Sequence, residues 1–524
     1  MHPQGYQQPS RGKPAAGPRP GRPIVDPMAM DADAPTIMER VRALVSSKPL
    51  LNLTLVVAIC VGFFHGWLKL HVRHPAVTFA FDAILLVALG LAYTGLDRRT
   101  RIVPGGKVGA GLFLFYGVCI AYAAAPFGPP ILMSIAALRG WCFASLMYIL
   151  GYHMTRNLTQ VTAYFYVLIV LGVITAIYGI RQNPEEVARM IQQDEFLAVR
   201  LQGTYFATEG GRAELRRFST VVSSGVFGSV MAYVITFALA LLTDEREKKW
   251  QKALVGAAIL PMAYGLVLTG ARSSMASLGI GFAVVIWYRR KAMTLMIVPL
   301  ALYLAMKWGS DVTEGAAMER FGTLVQKETI SGRYTWPVLT AINVIMENPL
   351  GGGLGRSGYS IPFFLASRLQ YKDLRPGEGD LPCLAIEMGV VGIIVFARLI
   401  YLAAKLVFDC LHALRDTPAA SLALACGGVW IVTIIVFPIG SPFLSIPTGA
   451  LTWFFLGTLQ RIAHQHEASA PALPPANKNP GSTSPPRQRV QPPATLQSLN
   501  PSTVPRQIPP PPAAEPPTRR PRSF

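Results

Sequence analysis

Nine charged side chains of this chain are candidates for chemistry. Four are arginines beside apolar segments, and a guanidinium group can bind a diphosphate through paired donors. Two are carboxylates that can accept the proton of an attacking hydroxyl group. Three lie inside apolar segments, where a charge is costly unless it is paired or lines a polar cavity. In this order they are Arg216, Arg217, Arg272 and Arg333, then Glu378 and Asp380, then Asp82, Arg139 and Glu387.

The composition of the chain excludes a soluble globular domain. Of its 524 residues, 51% are hydrophobic and only 15% are charged, which is typical of a polytopic membrane protein. The net charge of +20 is spread over the two ends of the chain and the short loops instead of one basic face. We therefore expect no nucleic-acid partner, and we expect the basic residues to set the membrane topology.

Twelve apolar runs predict an all-α polytopic fold with about twelve transmembrane helices, because each run is near the ~20 residues that cross ~30 Å of hydrocarbon. The runs are Leu50–Leu68, Ala76–Leu96, Val108–Ala125, Ile131–Gly151, Gln160–Ile180, Val221–Leu242, Ala253–Gly270, Met275–Tyr288, Ala292–Trp308, Pro382–Phe408, Ala419–Phe437 and Phe443–Ile462.

The chain divides by composition into a basic tail, a transmembrane domain and a proline-rich tail. Both tails are predicted to be disordered, except for a short helix from Thr36 to Val45. Lys and Arg collect in every second short loop, so both termini are expected in the cytoplasm and both long polar loops outside it. The three parts are residues 1–48, 49–462 and 463–524, and the long loops are 181–219 and 309–381.

The first long loop is predicted to contain an amphipathic helix that lies on the membrane surface. Asn183 and Pro184 suit the N-cap and first turn of such a helix. Apolar residues then recur at helical spacing, which is typical of an interfacial helix. They are Val187, Met190, Ile191, Leu197 and Ala198.

Arg272 and Arg333 are each predicted near the start of a helix. Arg272 lies in a short turn between two apolar runs, where it either grips a phosphate or extends to the interface for structural reasons alone. Ser273 and Ser274 after it are candidate helix caps. Ser331 is predicted to cap a helix that runs from Gly332 to Glu347, so its dipole and Arg333 would both favour an anion.

The three charges inside the spans are predicted at a similar depth. Asp82, Arg139 and Glu387 each lie roughly 9 to 12 Å from the outer end of their helix at ~1.5 Å per residue. One interpretation is a polar cavity open to the outer leaflet. The other is a structural ion pair of Arg139 with Asp82 or with Glu387, and the two interpretations are compatible.

Two kinds of site are not supported by the sequence. The glycine run Gly351–Gly355 is not followed by the Gly-Lys-Ser/Thr of a phosphate-binding loop, so we interpret it as a flexible turn. The six cysteines form no CxxC pair and have no histidine at ligand spacing. We expect neither a metal ion nor another cofactor.

Four motifs occur in order between Leu50 and Ile462. They are RRFSTVVSSGVFG at 216–228, LTGARSS at 268–274, SGRYTWPVLTAINVIMENPLGGGLG at 331–355 and CLAIEMGVVG at 383–392. Together with the order of the long loops, they resemble the O-antigen ligase and O-antigen polymerase superfamily of bacterial envelope glycosyltransferases.

This resemblance implies a helical membrane fold of the GT-C type and an inverting, metal-independent glycosyltransferase. The implied donor is a glycan on undecaprenyl diphosphate, and the implied acceptor is a saccharide hydroxyl at the outer face of the bacterial inner membrane. Membrane lipids are further partners, and the Pro-rich tail is either a docking segment for envelope-assembly proteins or a plain disordered extension. The diphosphate-binding arginines of the family correspond to Arg272, Arg333 and either Arg216 or Arg217.

The chain departs from the ligases at one place. Ligases of this family carry a His-Asn pair before the span that contains Glu387, whereas this chain has Glu378 and Asp380 there. The carboxylates are the candidate catalytic groups, with Glu378 closest to the position of the histidine. The departure favours a polymerase or an exopolysaccharide enzyme over a ligase. A flippase for lipid-linked glycan and an inactive scaffold are the alternatives from other classes.

Overall fold

The computed structural model describes most of the apolar part of the chain and little of its tails. All described residues belong to one compact unit. The Pro-rich tail, most of the N-terminal tail and Glu378 lie outside the described residues. Those described are 36, 38–40, 49–72, 74–94, 106–193, 205–207, 213–289, 292–312, 315, 322, 326, 331–359 and 379–469.

The described chain is almost entirely helical. Side-chain caps define several helix starts, as where Asn157 accepts a hydrogen bond from the amide of Gln160 and Ser223 accepts one from that of Val226. The helices are α1 Pro49–His71, α2 Ala80–Thr94, α3 Lys107–Ala123, α4 Ile131–Cys142, α5 Met147–Met154, α6 Leu158–Ile180, α7 Pro184–Gln193, α8 Ser224–Leu242, α9 Lys249–Leu268, α10 Arg272–Arg289, α11 Ala292–Val312, α12 Trp336–Glu347, α13 Asp380–Ala413, α14 Ala420–Val436 and α15 Thr448–Ser469. Short 3₁₀ turns occur at Pro75–Phe79, Ala144–Leu146 and Ser219–Val221.

The fold is that of a polytopic α-helical membrane protein. Each of the twelve predicted runs overlaps a helix, and within the described part seven helical stretches are long and apolar enough to cross a membrane. The total of about twelve spans stays a prediction. The seven are Pro49–His71, Ala76–Thr94, Ile131–Met154, Leu158–Ile180, Ser224–Leu242, Lys249–Leu268 and Asp380–Ala413.

One short hairpin accompanies the helices of the predicted all-α fold. Strand β1, Tyr205–Ala207, pairs antiparallel with strand β2, Ala213–Leu215. With three residues in each strand, the alternation of apolar and polar side chains is too brief to be recognised in a sequence. The hairpin lies in the first long loop and ends directly before Arg216.

Glycine contacts and aromatic rings hold the helices together. Helices α5 and α15 touch through Gly151 and Gly457, where an added Cβ would lie 2.0 Å from the carbonyl of Phe454 and 2.1 Å from that of Tyr148. Small residues allow this close approach of two backbones in a membrane. Around the buried Phe396, the rings of four other aromatic residues lie 5.0–5.8 Å away. They are Phe115, Trp141, Phe437 and Phe443.

The end of the predicted N-terminal tail is folded against the helix bundle. Thr36 and Glu39 exchange side-chain hydrogen bonds with each other's amide groups, which is a capping box. Residues 38–40 are helical, and residues 41–45 of the predicted short helix lie outside the described residues. Arg40 is only 2% exposed. It forms an ion pair of 2.9 Å with Glu247, in the predicted cytoplasmic loop between α8 and α9. The tail is therefore anchored at this point.

Candidate functional site

The segment after the hairpin runs alongside the turn that joins α9 to α10. The amide of Arg217 donates to the carbonyl of Leu268 at 3.1 Å, and Nε of Arg216 donates to the carbonyl of Thr269 at 3.1 Å. Thr269 is three residues before Arg272, which begins α10. Two of the predicted arginine segments therefore meet at one end of the helix bundle. We call Arg216, Arg217 and Arg272 the arginine cluster.

The turn before Arg272 is closed by Thr269 and not by the predicted serine caps. The hydroxyl of Thr269 accepts a hydrogen bond from the amide of Ala271 at 3.0 Å, and Gly270 has a positive φ of 57°. Ser274 is buried and donates to the carbonyl of Gly225 in α8 at 3.3 Å. A side chain that packs between two helices is not available to cap one of them.

Helix α7 holds the arginine segment in place. It begins as predicted, with Asn183 accepting from the amide of Glu185. Its residue Val187 is buried against the end of the hairpin and the segment that follows it, so the prediction of a helix whose apolar face lies on the membrane is wrong for this residue. Leu197 and Ala198 of the predicted face lie outside the described residues. The periodicity showed an apolar face but could not show what covers it. The partners of Val187 are Leu215, Phe218 and Val222.

The segment continues through two strained residues. Ser219 and Val222 have φ angles of 52° and 55°, a conformation that is unfavourable for a residue with a Cβ and most of all for a β-branched one. Hydrogen bonds compensate for this strain. Ser219 donates to the carbonyl of Thr175 at 2.6 Å, and Thr220 donates to that of Phe63 at 2.8 Å.

A cavity of about 450 Å³ lies beside this segment. We call it the Arg139 cavity. Its volume is in the range of small-molecule sites, roughly 300–1,000 Å³. Two cationic side chains and one carboxylate line it, together with an imidazole and four residues that carry hydroxyl groups. They are Lys69, Arg139, Asp82, His65, Thr78, Ser223, Tyr359 and Ser445.

Arg139 forms its ion pair with Asp82, which decides between the two partners predicted for it. It also donates to the carbonyl of Thr78 at 2.8 Å and lies 5.2 Å from the centre of the Phe79 ring. The pair is itself on the cavity wall. Both interpretations of these charges, an ion pair and a cavity, therefore describe the same place.

Glu387 is separate from that cavity, contrary to the prediction that it shares one with Asp82 and Arg139. It is fully buried and accepts hydrogen bonds from the indole N–H of Trp141, at 2.7 Å, and from the hydroxyl of Ser357. The depth of a residue along a helix does not determine the direction in which its side chain points. The sequence prediction used the depth alone and did not include this direction.

Helix α13 is broken next to Glu387. Gly389 has a φ of 56° and a ψ of −147°, and the loop that follows α12 fills the break. The amides of Gly352 and Gly353 donate to the carbonyls of Ile386 and Glu387 at 2.8 and 3.1 Å, and the amide of Val390 donates to that of Pro349 at 2.9 Å. These bonds satisfy backbone groups that the break would otherwise leave without partners inside a membrane.

The glycine run at 351–355 is consequently a packed element, and its interpretation as a flexible turn is wrong. A Cβ on Gly353 would lie 2.3 Å from the Cα of Gly128, and one on Gly351 would lie 2.6 Å from the amide nitrogen of Gly389. Both glycines have positive φ angles, of 88° and 77°. Glycine is required here by both the conformation and the space.

The predicted catalytic carboxylates have different outcomes. Asp380 is fully buried at the start of α13, where its carboxylate accepts from the amide of Phe443 at 2.8 Å and its own amide donates to Gly440 at 2.8 Å. It fixes the loop 437–447 to the helix. Glu378 lies outside the described residues. Asp380, two residues after Glu378, is attached to the loop 437–447, and residues Leu444 and Ser445 of that loop line the Arg139 cavity.

Arg333 is described only by its backbone. The structure shows a π-helical turn at Ser331–Thr335 before α12, where the sequence predicts α-helix from Gly332. The helix ends as predicted, at Glu347, with Asn348 as its C-cap. The side chain of Arg333 lies outside the described residues, so its place in the arginine cluster stays a prediction.

No family model and no curated protein matches this chain. The resemblance to the O-antigen ligase and polymerase superfamily accordingly depends on the four motifs alone. In the described part of the chain, no group of three or more His, Cys, Asp or Glu side chains could hold a metal ion. The geometry brings Arg216 and Arg217 to the turn that precedes Arg272, on the same segment as a polar cavity.

Sequence reasoning missed several residues of this region. His65 and Lys69 are four apart on α1 and line the same cavity, and that spacing was a usable signal because it places both on one helix face. Ser357 and Trp141 had no such signal. Both bond to Glu387, which is 30 residues from Ser357 and 246 from Trp141.

Proposed function

We propose that this protein is a membrane glycosyltransferase that transfers or polymerises a glycan carried on undecaprenyl diphosphate at the outer face of a bacterial inner membrane. The observation that supports this proposal best is the arrangement of Arg216 and Arg217 along the turn that begins α10 with Arg272. A pyrophosphate needs several converging donors of positive charge. Arginines from two separate parts of the chain lie along one turn at one end of the bundle, which supports such a role.

The Arg139 cavity is the proposed place of the reacting sugar. Ser223 on the cavity wall is six positions after Arg217, so the backbone distance between them is no more than roughly 20 Å. The cationic surface and the polar cavity are therefore neighbours on the same segment. A donor with a diphosphate followed by a saccharide presents its groups in the same sequence.

The proposed reaction is a direct displacement. The bond between the anomeric carbon and the diphosphate oxygen breaks while the oxygen of an acceptor hydroxyl forms the new bond, which inverts the anomeric centre. The hydroxyl proton passes to a carboxylate, for which Glu378 is the candidate. Because Asp380 is buried and bonded to Phe443, we assign it to holding the loop 437–447.

The arginine cluster would stabilise the negative charge of the departing diphosphate. A single positioned donor of this kind contributes about 3 to 4 kcal/mol, or 10²–10³ in rate. Replacing Arg272 by lysine keeps the charge but loses the paired donors. We therefore expect Arg272→Lys to retain more activity than Arg272→Ala.

The test is transfer from an undecaprenyl-diphosphate oligosaccharide by the full-length protein in lipid nanodiscs. Arg272→Ala should lower the rate about 10²–10³-fold. Arg289→Ala is the matched control, because Arg289 is at the opposite end of the same helix and donates to Ser421 at 3.1 Å. Unchanged transfer by Arg272→Ala would refute the proposal. A ladder of products indicates a polymerase, and a single addition indicates a ligase.

The break in α13 is the observation that favours a transporter most, since broken helices are common in that class. In transporters the unwound backbone groups coordinate the substrate or its ion. Here the carbonyls of Ile386 and Glu387 already accept hydrogen bonds from the amides of Gly352 and Gly353. The break thus anchors a loop, and we favour the transferase. Movement of labelled lipid across vesicles without any transfer would instead identify a flippase.

A further inference from the structure

A second cavity, of about 420 Å³, lies at the C-terminal end of α12. We call it the Glu347 cavity. Its wall combines a carboxylate, a carboxamide, a guanidinium group, two glycines and an aromatic ring. They are Glu347, Asn348, Arg356, Gly351, Gly352 and Phe127. None of these residues belongs to the arginine cluster or to the Arg139 cavity.

The chemistry of this wall fits a neutral saccharide. Carboxylate, amide and guanidinium groups accept from and donate to hydroxyl groups, while the half-exposed ring of Phe127 can face the polarised C–H groups of a pyranose. The opposite charges of Glu347 and Arg356 balance. In the Arg139 cavity, by contrast, Lys69 and Arg139 outnumber Asp82, which suits an anionic donor.

One loop separates the two cavities. Gly351, Gly352 and Arg356 face the Glu347 cavity, whereas Gly358 and Tyr359 face the Arg139 cavity. A loop of nine residues, 351–359, is thus the common wall. A transferase needs two substrates close together, and two cavities that share one wall provide that.

Glu387 holds the loop 351–359 in place through hydrogen bonds. Its carbonyl accepts from the amide of Gly353 at 3.1 Å, and its carboxylate accepts from the hydroxyl of Ser357. The same residue therefore holds the loop at two points, four residues apart. Gly352 also packs against the stem of Arg356, since a Cβ there would lie 2.9 Å from its Cγ. The loop is preorganised, which lowers the entropy lost when a ligand binds.

We propose that the Glu347 cavity binds the saccharide acceptor, and that the loop 351–359 holds it beside the donor in the Arg139 cavity. This inference rests on the proposed function and adds a second substrate site to it. The acceptor is recognised by its hydroxyl groups and its apolar ring face. Its binding does not require the arginine cluster.

Saccharide binding to the full-length protein in nanodiscs tests the inference. The probes are glucose, N-acetylglucosamine and glucuronate, as mono- and trisaccharides, followed by saturation-transfer difference NMR. Phe127→Ala and Glu347→Ala should each weaken binding about tenfold, the effect of losing a good contact or charged hydrogen bond. Met346→Ala is the matched control, because Met346 precedes Glu347 on α12, is 81% exposed and is outside the lining.

A measurement without a substitution protects the test against misfolded variants. Carbodiimide labelling of Glu347 in the wild-type protein should decrease when a binding saccharide is added. Labelling that is unaffected by every probe, or binding that Phe127→Ala and Glu347→Ala leave unchanged, overturns the inference. Arg272→Ala separates the two claims. Saccharide binding should survive in it while transfer is lost, whereas retained transfer refutes the proposed function.

Discussion

The ion pair of Asp82 and Arg139 gives the sharpest test of how this cavity works. The perturbations are Asp82→Asn, Arg139→Gln and the double variant. The two side chains are only 7% and 15% exposed, so the pair is largely withdrawn from water. Arg139 also bonds to the carbonyl of Thr78 and lies over the ring of Phe79. Asp82→Asn therefore leaves a cation that keeps two other contacts, whereas Arg139→Gln leaves the carboxylate without the arginine.

The structure sets the order of the three stability losses. Removing one partner of a buried ion pair costs about 3 to 5 kcal/mol, because a buried charge remains without compensation. Asp82→Asn should be near the lower limit, since Arg139 keeps the Thr78 carbonyl and the Phe79 ring. Arg139→Gln should be near the upper limit. The double variant removes both charges of the pair and should cost about 1 to 2 kcal/mol, much less than the sum.

Reversible unfolding in mixed micelles measures the free energies, and transfer in nanodiscs measures the function of the same variants. Single variants that each cost under about 1 kcal/mol and add in the double variant would refute the buried pair. Where the pair is purely structural, the double variant recovers transfer along with stability. Where Arg139 contacts the anionic donor, the double variant is stable and still inactive, which is the outcome that we expect.

Two more substitutions test the frame around the site. Gly353→Ala should destabilise the protein by about 3 kcal/mol or more, because φ is 88° and the added Cβ would meet Gly128. The control is Gly225→Ala, whose Cβ meets nothing within 4 Å and which should change stability by under about 1 kcal/mol. Equal unfolding free energies for the two variants would contradict the packed loop. Arg40→Met should leave Glu247 buried without its cation and lower the stability of the contact by about 3 kcal/mol. Limited proteolysis measures this as faster cleavage of the N-terminal segment. An unchanged cleavage rate would show that the tail is not anchored.

The helices could be predicted from sequence because each needs only its own apolar run. Length and hydropathy are local properties, and every predicted run overlaps a helix. The surroundings of those helices depend on distant residues. Nothing near Val187 shows that Phe218 covers it, and nothing near Glu387 shows that its partners are Trp141 and Ser357.

The arginine cluster is an intermediate case. The positive charge before α8 and the arginine at the start of α10 were visible in the sequence, and so was the order of the motifs. The contact between them depends on two hydrogen bonds from Arg216 and Arg217 to the end of α9. Such hydrogen bonds, one of them between residues 53 positions apart, have no signature in a single sequence.

The break in α13 connects these observations. A membrane-spanning helix with Gly389 in a left-handed conformation exposes carbonyl and amide groups that lipid cannot satisfy. The loop 349–353 supplies the missing hydrogen-bond partners. It is therefore part of the structure that makes this span stable in lipid. Its glycines bring the backbone close enough to do so, and the same backbone then forms the wall between the two cavities. A side chain added at Gly353 would therefore disturb the helix and both proposed substrate sites together, whereas a change at Arg272 leaves this wall in place.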